Sequence, residues 1–119
     1  MTLVTLATLT TPAAVTRRIG IEEYDKLRVQ TNTVILDVRS RAEFEKGRIP
    51  GATNIDINSV RFLETVAGLD KGKVYLVNCA VGMRSARACK KMESLGFTNL
   101  YDLAPGFDGW KKAGKPVEK

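Results

Sequence analysis

Apolar residues in this chain come in short runs, separated by polar stretches in which apolar positions recur every three or four residues. The runs at 34–38 (Val-Ile-Leu-Asp-Val) and 74–77 (Val-Tyr-Leu-Val) are nearly continuous, as expected of strands covered on both faces. Shorter strand candidates lie at 16–19, 53–57 and 100–103. Between them the spacing turns helical. Ile21, Tyr24 and Leu27 share a face of a helix over 20–29, whose first turn carries Glu22 and Glu23, favourable at the positive end of the dipole. Val60, Leu63 and Val66 are expected to point inward from 59–67, and Ala88, Met92 and Leu95 from 85–95. Ser40 and Glu43 match a capping box at the start of a short helix over 40–46, which Gly47 ends. A last helix is expected at 107–113, with Gly114 past its end and Trp110 in the core. Strands alternating with helices predict an α/β fold with a parallel sheet of about five strands and helices on both faces.

Composition narrows this picture. A chain of 119 residues is one domain, read here as residues 16–119 behind an N-terminal extension at 1–15. That extension has no charged side chain ahead of its apolar positions, and threonines interrupt them. It therefore reads as a disordered or strand-forming extension and not as an export signal, so a cytoplasmic location is expected. No stretch reaches the length of a membrane span. The formal charge is +6, but the basic residues are spread along the chain without interleaved aromatics. This excludes a nucleic-acid footprint and leaves a solvated surface whose field attracts small anions. Two cysteines, Cys79 and Cys89, make no disulfide scaffold, and a chain without histidine offers no metal cluster.

The candidate chemistry gathers where the 74–77 strand ends. Cys79 follows that strand, and Ala80, Val81, Gly82, Met83 and Arg84 lead into the next helix. Gly82 permits a tight turn that leaves backbone amides exposed. Successive N–H groups curled ahead of a helix N-terminus make an anion nest. Cys79 is expected at the mouth of that nest, with Arg84 adding a positive charge at its far end. All three features stabilise a thiolate. Without histidine no Cys–His pair can form, so activation has to come from loop, helix and arginine. A cation at Arg84 opposes the helix dipole, and binding an anion or orienting a carboxylate would compensate it. Cys89, in the middle of the helix, reads as structural filler.

Cys79 to Arg84, a cysteine and an arginine with four residues between them, resembles the active-site loop of rhodanese-like sulfurtransferases. Asp37-Val38-Arg39 with Glu43-Phe44, Gly47-Arg48-Ile49-Pro50-Gly51-Ala52 and Gly106-Phe107-Asp108-Gly109-Trp110 resemble three further signatures of that family, in order, over nearly the whole chain. The resemblance implies a Cys79 nucleophile that carries sulfane sulfur as a persulfide, from a small anionic donor such as thiosulfate to a thiol or protein acceptor, with no cofactor and no metal. It implies that Asp37 and Arg39 support the loop, with Glu43 a candidate partner for Arg39. Two departures stand out. Arg48 replaces a histidine common before Ile-Pro-Gly, and Pro105-Gly106 replaces a Gly-Gly pair, which is expected to reshape the pocket wall. Two rivals remain. A phosphatase on the same fold would carry five residues between cysteine and arginine. A sulfur-carrier or partner-binding module would turn over little on its own.

Overall fold

A computed structural model describes residues 15–119. The extension expected at 1–15 lies, but for Val15, outside the described residues. Five strands, β1 (Thr16–Ile19), β2 (Thr33–Asp37), β3 (Thr53–Asn54), β4 (Val74–Asn78) and β5 (Leu100–Leu103), form one sheet in the order β1-β5-β4-β2-β3. Every pairing is parallel. The intervening helices are α1 (Ile21–Leu27), α2 (Arg41–Lys46), α3 (Phe62–Ala67), α4 (Met83–Ser94) and α5 (Gly106–Lys112).

The two apolar runs become the neighbouring strands β2 and β4, and alternate residues feed two cores. Leu36, Tyr75, Val77 and Leu100 pack against Phe62 and Val66 of α3 and Ala88, Cys89 and Met92 of α4. Ile35, Leu76 and Leu103 pack on the other face against Tyr24 of α1 and Phe107 and Trp110 of α5. Period-two alternation thus builds a sheet with helices on both faces. Trp110 is fully buried and its indole N–H donates to the Pro116 carbonyl at 2.7 Å.

Three local expectations fail. Val60 is fully exposed and Leu63 nearly half exposed, whereas Phe62 and Val66 are buried. The helix there starts at Phe62, so its inward face follows the four-residue step from Phe62 to Val66 and leaves Val60 outside the helix. The strand expected over 53–57 pairs only at Thr53 and Asn54. Finally, α4 begins at Met83, two residues ahead of the expected start, because Gly82 takes up a left-handed conformation (φ +93°) and turns the chain directly into the helix.

Candidate active site

Four segments converge at the carboxyl end of β4, where ligands bind in open parallel sheets. Cys79 follows β4, Arg39 follows β2, the 104–106 turn follows β5, and α4 begins at the far side of the 80–82 loop. The loop is pinned from behind. The Phe107 and Asp108 amides of α5 donate to the carbonyls of Cys79 and Ala80 at 2.7 and 3.0 Å. Two glycines make this approach possible. A Cβ on Gly82 would lie 2.2 Å from the Ala104 carbonyl oxygen, and one on Gly106 would lie 2.2 Å from that of Ala80. Both have positive φ, which only glycine adopts freely. Pro105 serves as the N-cap residue of α5, directly ahead of Gly106.

The loop amides do face the sulfur. The Gly82 N–H donates to Cys79 Sγ at 3.1 Å, and the thiol itself donates to Ser85 Oγ at 3.4 Å. Burial pushes the Cys79 thiol up. The hydroxyl and amide of Ser85 and the amides of Gly82 and Val81 outweigh that push and leave the pKa below the ordinary thiol value. This is the physics of a helix N-terminus and a nest of donors acting on one anion. Cys89 behaves oppositely: burial first, then the Asp102 and Glu93 charges, drive its pKa far up, and the Thr16 hydroxyl offsets this only in part.

Two expectations about the site need correction. Cys79 is not at an open mouth, because its side chain is 0% exposed. It shares a face with Val77 and joins the core formed by Val38, Ile57 and Ala88. The loop that brings an amide to 3.1 Å of the sulfur also fills the space solvent would take. The flanking Val81 and Met83 side chains stand outside, 59% and 74% exposed.

The second correction concerns the partner of Glu43. Arg84 grips Glu43 with two bonds, Nη1 to Oε1 at 2.8 Å and Nη2 to Oε2 at 2.9 Å, so its charge is engaged by a carboxylate. The Arg84 guanidinium first, and Ser40 after it, hold the Glu43 carboxyl down at about 2. Glu43 also closes the capping box with Ser40, as expected of the start of α2. Glu43 is accordingly not the partner of Arg39. That arginine is almost fully buried, pairs with Asp37 (Nη2 to Oδ2, 2.7 Å), donates to the Gly47 carbonyl at 2.7 Å and stacks over Phe107. Asp37 and Arg39 thus tie the end of β2 to the turn after α2 and to α5. Arg48 ties down the C-terminal segment: its Nε donates to Glu118 at 3.0 Å, and its guanidinium covers the Phe44 ring.

Sequence reasoning missed three residues behind the loop. Ser85 touches the sulfur. Arg18 of β1 donates to the Gly82 carbonyl at 3.1 Å and to Asp102 of β5 at 2.6 Å. Asp102 is 2% exposed. The signal available in the sequence was an aspartate inside the apolar strand Leu100-Tyr101-Asp102-Leu103.

A parallel α/β sheet whose central strand leads into a cysteine reached by a main-chain N–H at the start of a helix defines a class: α/β domains with a cysteine set in a nest of backbone donors. Within that class the family is clear. Residues 21–113 match the rhodanese-like domain, and the chain belongs to that family. It is 34% identical to the thiosulfate sulfurtransferase GlpE of Pseudomonas putida over 102 residues, 86% of this chain and 90% of that protein. It is 33% identical over 103 residues to the adenylyltransferase and sulfurtransferase UBA4 of Meyerozyma guilliermondii, but spans only 23% of that longer protein. Its fold is similar to that of a rhodanese-related protein from Thermoplasma volcanium (TM-score 0.72, 31% identity, 86% of this chain and 97% of that one). No helix among the described residues is long and apolar enough to cross a membrane.

Proposed function

We propose that this protein is a sulfurtransferase that moves a sulfane sulfur through a persulfide on Cys79. The observation that carries the reading is the Gly82 N–H held 3.1 Å from the Cys79 sulfur at the start of α4, in a family whose relatives here are named sulfurtransferases. The Cys79 thiolate attacks the outer sulfur of an anionic donor such as thiosulfate. A new S–S bond forms on Cys79, the donor S–S bond breaks, and sulfite leaves with the electron pair. A thiophilic acceptor then attacks the terminal sulfur, and Cys79 departs as the thiolate it began as. Negative charge moves one sulfur outward, from Cys79 Sγ in the thiolate to the terminal sulfur of the persulfide, and the donors at the start of α4, the Gly82 amide foremost, stabilise it. A preorganised donor of this kind contributes about 3 kcal/mol in comparable oxyanion sites. No side chain has to move a proton, which agrees with a sequence free of histidine.

In this reading Ala80, Val81, Gly82, Met83 and Arg84 form the binding loop. Arg84 shapes it by gripping Glu43, and Asp37 and Arg39 support it from β2. The donor meets amides and not a free guanidinium. Because the sulfur is covered, the donor gains access when the 80–82 segment moves. The same cover favours a second reading, in which a protein acceptor opens the loop and the domain serves mainly as a sulfur carrier. Production of thiocyanate from thiosulfate and cyanide tests the choice. Sustained turnover by the wild type and none by Cys79→Ala is the expected result. Trace turnover beside fast sulfur loss to a protein thiol would favour the carrier, and equal turnover by Cys79→Ala would end both readings.

A further inference from the structure

The carboxylate of Asp102 lies behind the site and takes no part in the reaction above. On β5 it faces α4, as Val77 and Cys79 do on and after β4, since Asp102 and Val77 are register partners and residues two apart share a face. One of its oxygens, Oδ2, takes the Arg18 bond at 2.6 Å. The other, Oδ1, is buried and has no hydrogen-bond partner among the described residues. Burial pushes this carboxyl up, and the group that most opposes burial is the Ser85 hydroxyl. Ser85 is itself fully buried, and its one defined bond is with the Cys79 sulfur at 3.4 Å. Ser85, on the helix that covers this face of the sheet, thus has one hydroxyl proton for two buried acceptors: the unpartnered oxygen of Asp102 and, once Cys79 ionises, a thiolate. An unsatisfied buried acceptor is costly, so the contest is a real one.

We propose that Asp102 restrains the Cys79 thiolate by competing with it for the single hydroxyl proton of Ser85. While Asp102 is ionised and holds that proton, Ser85 can only accept from the Cys79 thiol, and the neutral thiol is favoured. When Cys79 ionises, Ser85 turns to the sulfur and Oδ1 is left unpaired. Asp102 acts through Ser85 and never meets the donor, so it is a positioning residue. Arg18 sets the balance, because the same guanidinium partly neutralises Asp102 and holds the Gly82 carbonyl. The other charged or titratable groups around Asp102 are Tyr24 on α1 and Cys89, Lys90 and Glu93 on α4; Arg84 is the one that acts on Cys79. The restraint has a use. A thiolate loses intrinsic nucleophilicity as its pKa falls, and the best attacking thiol has a pKa near the working pH. The amide cradle alone drives the thiol down, and Asp102 pulls it back.

The inference rests on Cys79 being the reactive sulfur, but its test does not depend on sulfur transfer. Titration of the thiolate ultraviolet absorbance, with each background's Cys79→Ala spectrum subtracted, reads the thiol directly. Asp102→Asn should lower the Cys79 pKa by about 1, and Ser85→Ala should raise it by about 1. The double variant should match Ser85→Ala alone, because Asp102 has no route to the sulfur without the hydroxyl. With a Brønsted slope of about 0.4–0.5, the high-pH rate of sulfur uptake by Asp102→Asn should fall about threefold. In the wild type, the Asp102 carboxyl carbon resonance should show a second step at the Cys79 pKa, absent in Ser85→Ala. This readout stands even if Asp102→Asn folds poorly. A Cys79 pKa that is unmoved or raised in Asp102→Asn, an equal drop in the Ser85→Ala background, or a carboxyl resonance blind to Cys79 would overturn the proposal. A wild type that takes up no sulfur would instead overturn the function proposed for Cys79.

Discussion

Gly82 meets two demands at once: its left-handed backbone turns the loop, and its N–H reaches the Cys79 sulfur. Gly82→Ala would place a methyl 2.2 Å from the Ala104 carbonyl oxygen and 2.8 Å from the Arg18 guanidinium, at φ +93°. The variant should lose about 2 kcal/mol or more of stability, and its Cys79 pKa should rise as the amide is pushed off the sulfur. Denaturant midpoints and thiolate titration check the two halves separately. Glu43 offers a prediction with a defined pH window. Its folded pKa of about 2 lies below the ordinary value of 4.5, so the Arg84–Glu43 pair stabilises fully above that value. Stability is lost as pH falls through the interval between the two. Above it, Glu43→Gln should be less stable than the wild type by about 1 kcal/mol, a modest figure because both side chains are partly exposed. Below the folded pKa the two proteins should converge on the same midpoint. Residue partnerships of this kind were the least legible feature of the sequence. Glu43 was a candidate for Arg39 because the two are close in the chain, but Arg39 is aimed along β2 toward Asp37 and Gly47, while α2 turns Glu43 toward α4. Ser85 and Asp102 went unnoticed because their link to Cys79 runs through space, from α4 to β5.

Among the elements, α5 carries more of the site than its length suggests. The Phe107 and Asp108 amides in its first turn hold the carbonyls of Cys79 and Ala80, and Gly82 and Gly106 let the Cys79 loop and the α5 entry pack as a pair. Gly106→Ala would drive a methyl to 2.2 Å from the Ala80 oxygen and 2.7 Å from the Val81 nitrogen. Gly114→Ala shares a positive φ of +75° but meets nothing within 4 Å, so it carries the backbone cost alone. Gly114→Ala should cost about 1 kcal/mol and Gly106→Ala at least about 2 kcal/mol more, with loss of sulfur uptake only in the second. Unfolding midpoints and uptake assays of the two variants make the comparison. Elements were otherwise readable, for a simple reason: continuous apolar runs have no alternative to a doubly covered strand, and β2 and β4 formed where they were expected. Short helices were less so. Over 59–67, two apolar spacings fit equally well, and only the start of α3 at Phe62 decides between them. The early start of α4 escaped notice because Gly82 serves as an N-cap with no capping side chain to announce it.

Across the whole molecule, the sheet order places Cys79 just past the end of the central strand β4, with α4 and α3 on its own face and the α5 entry clasping its loop from the other. The family was legible because its signatures are local and fall at strand ends, where a parallel sheet gathers them. The closure of the site was not, because exposure is set by how the loop folds back and not by which residues it contains. In the function proposed above, a thiol that is 0% exposed yet has a lowered pKa is reached only when donor or acceptor displaces the loop that covers it. The account therefore stands on Cys79 accepting a sulfur atom, and intact-mass measurement after incubation with thiosulfate tests this most directly. The wild type should gain one sulfur atom and lose it when cyanide is added, and Cys79→Ala should gain none. A wild type whose mass does not change, or a Cys79→Ala variant that gains the same sulfur, would contradict it.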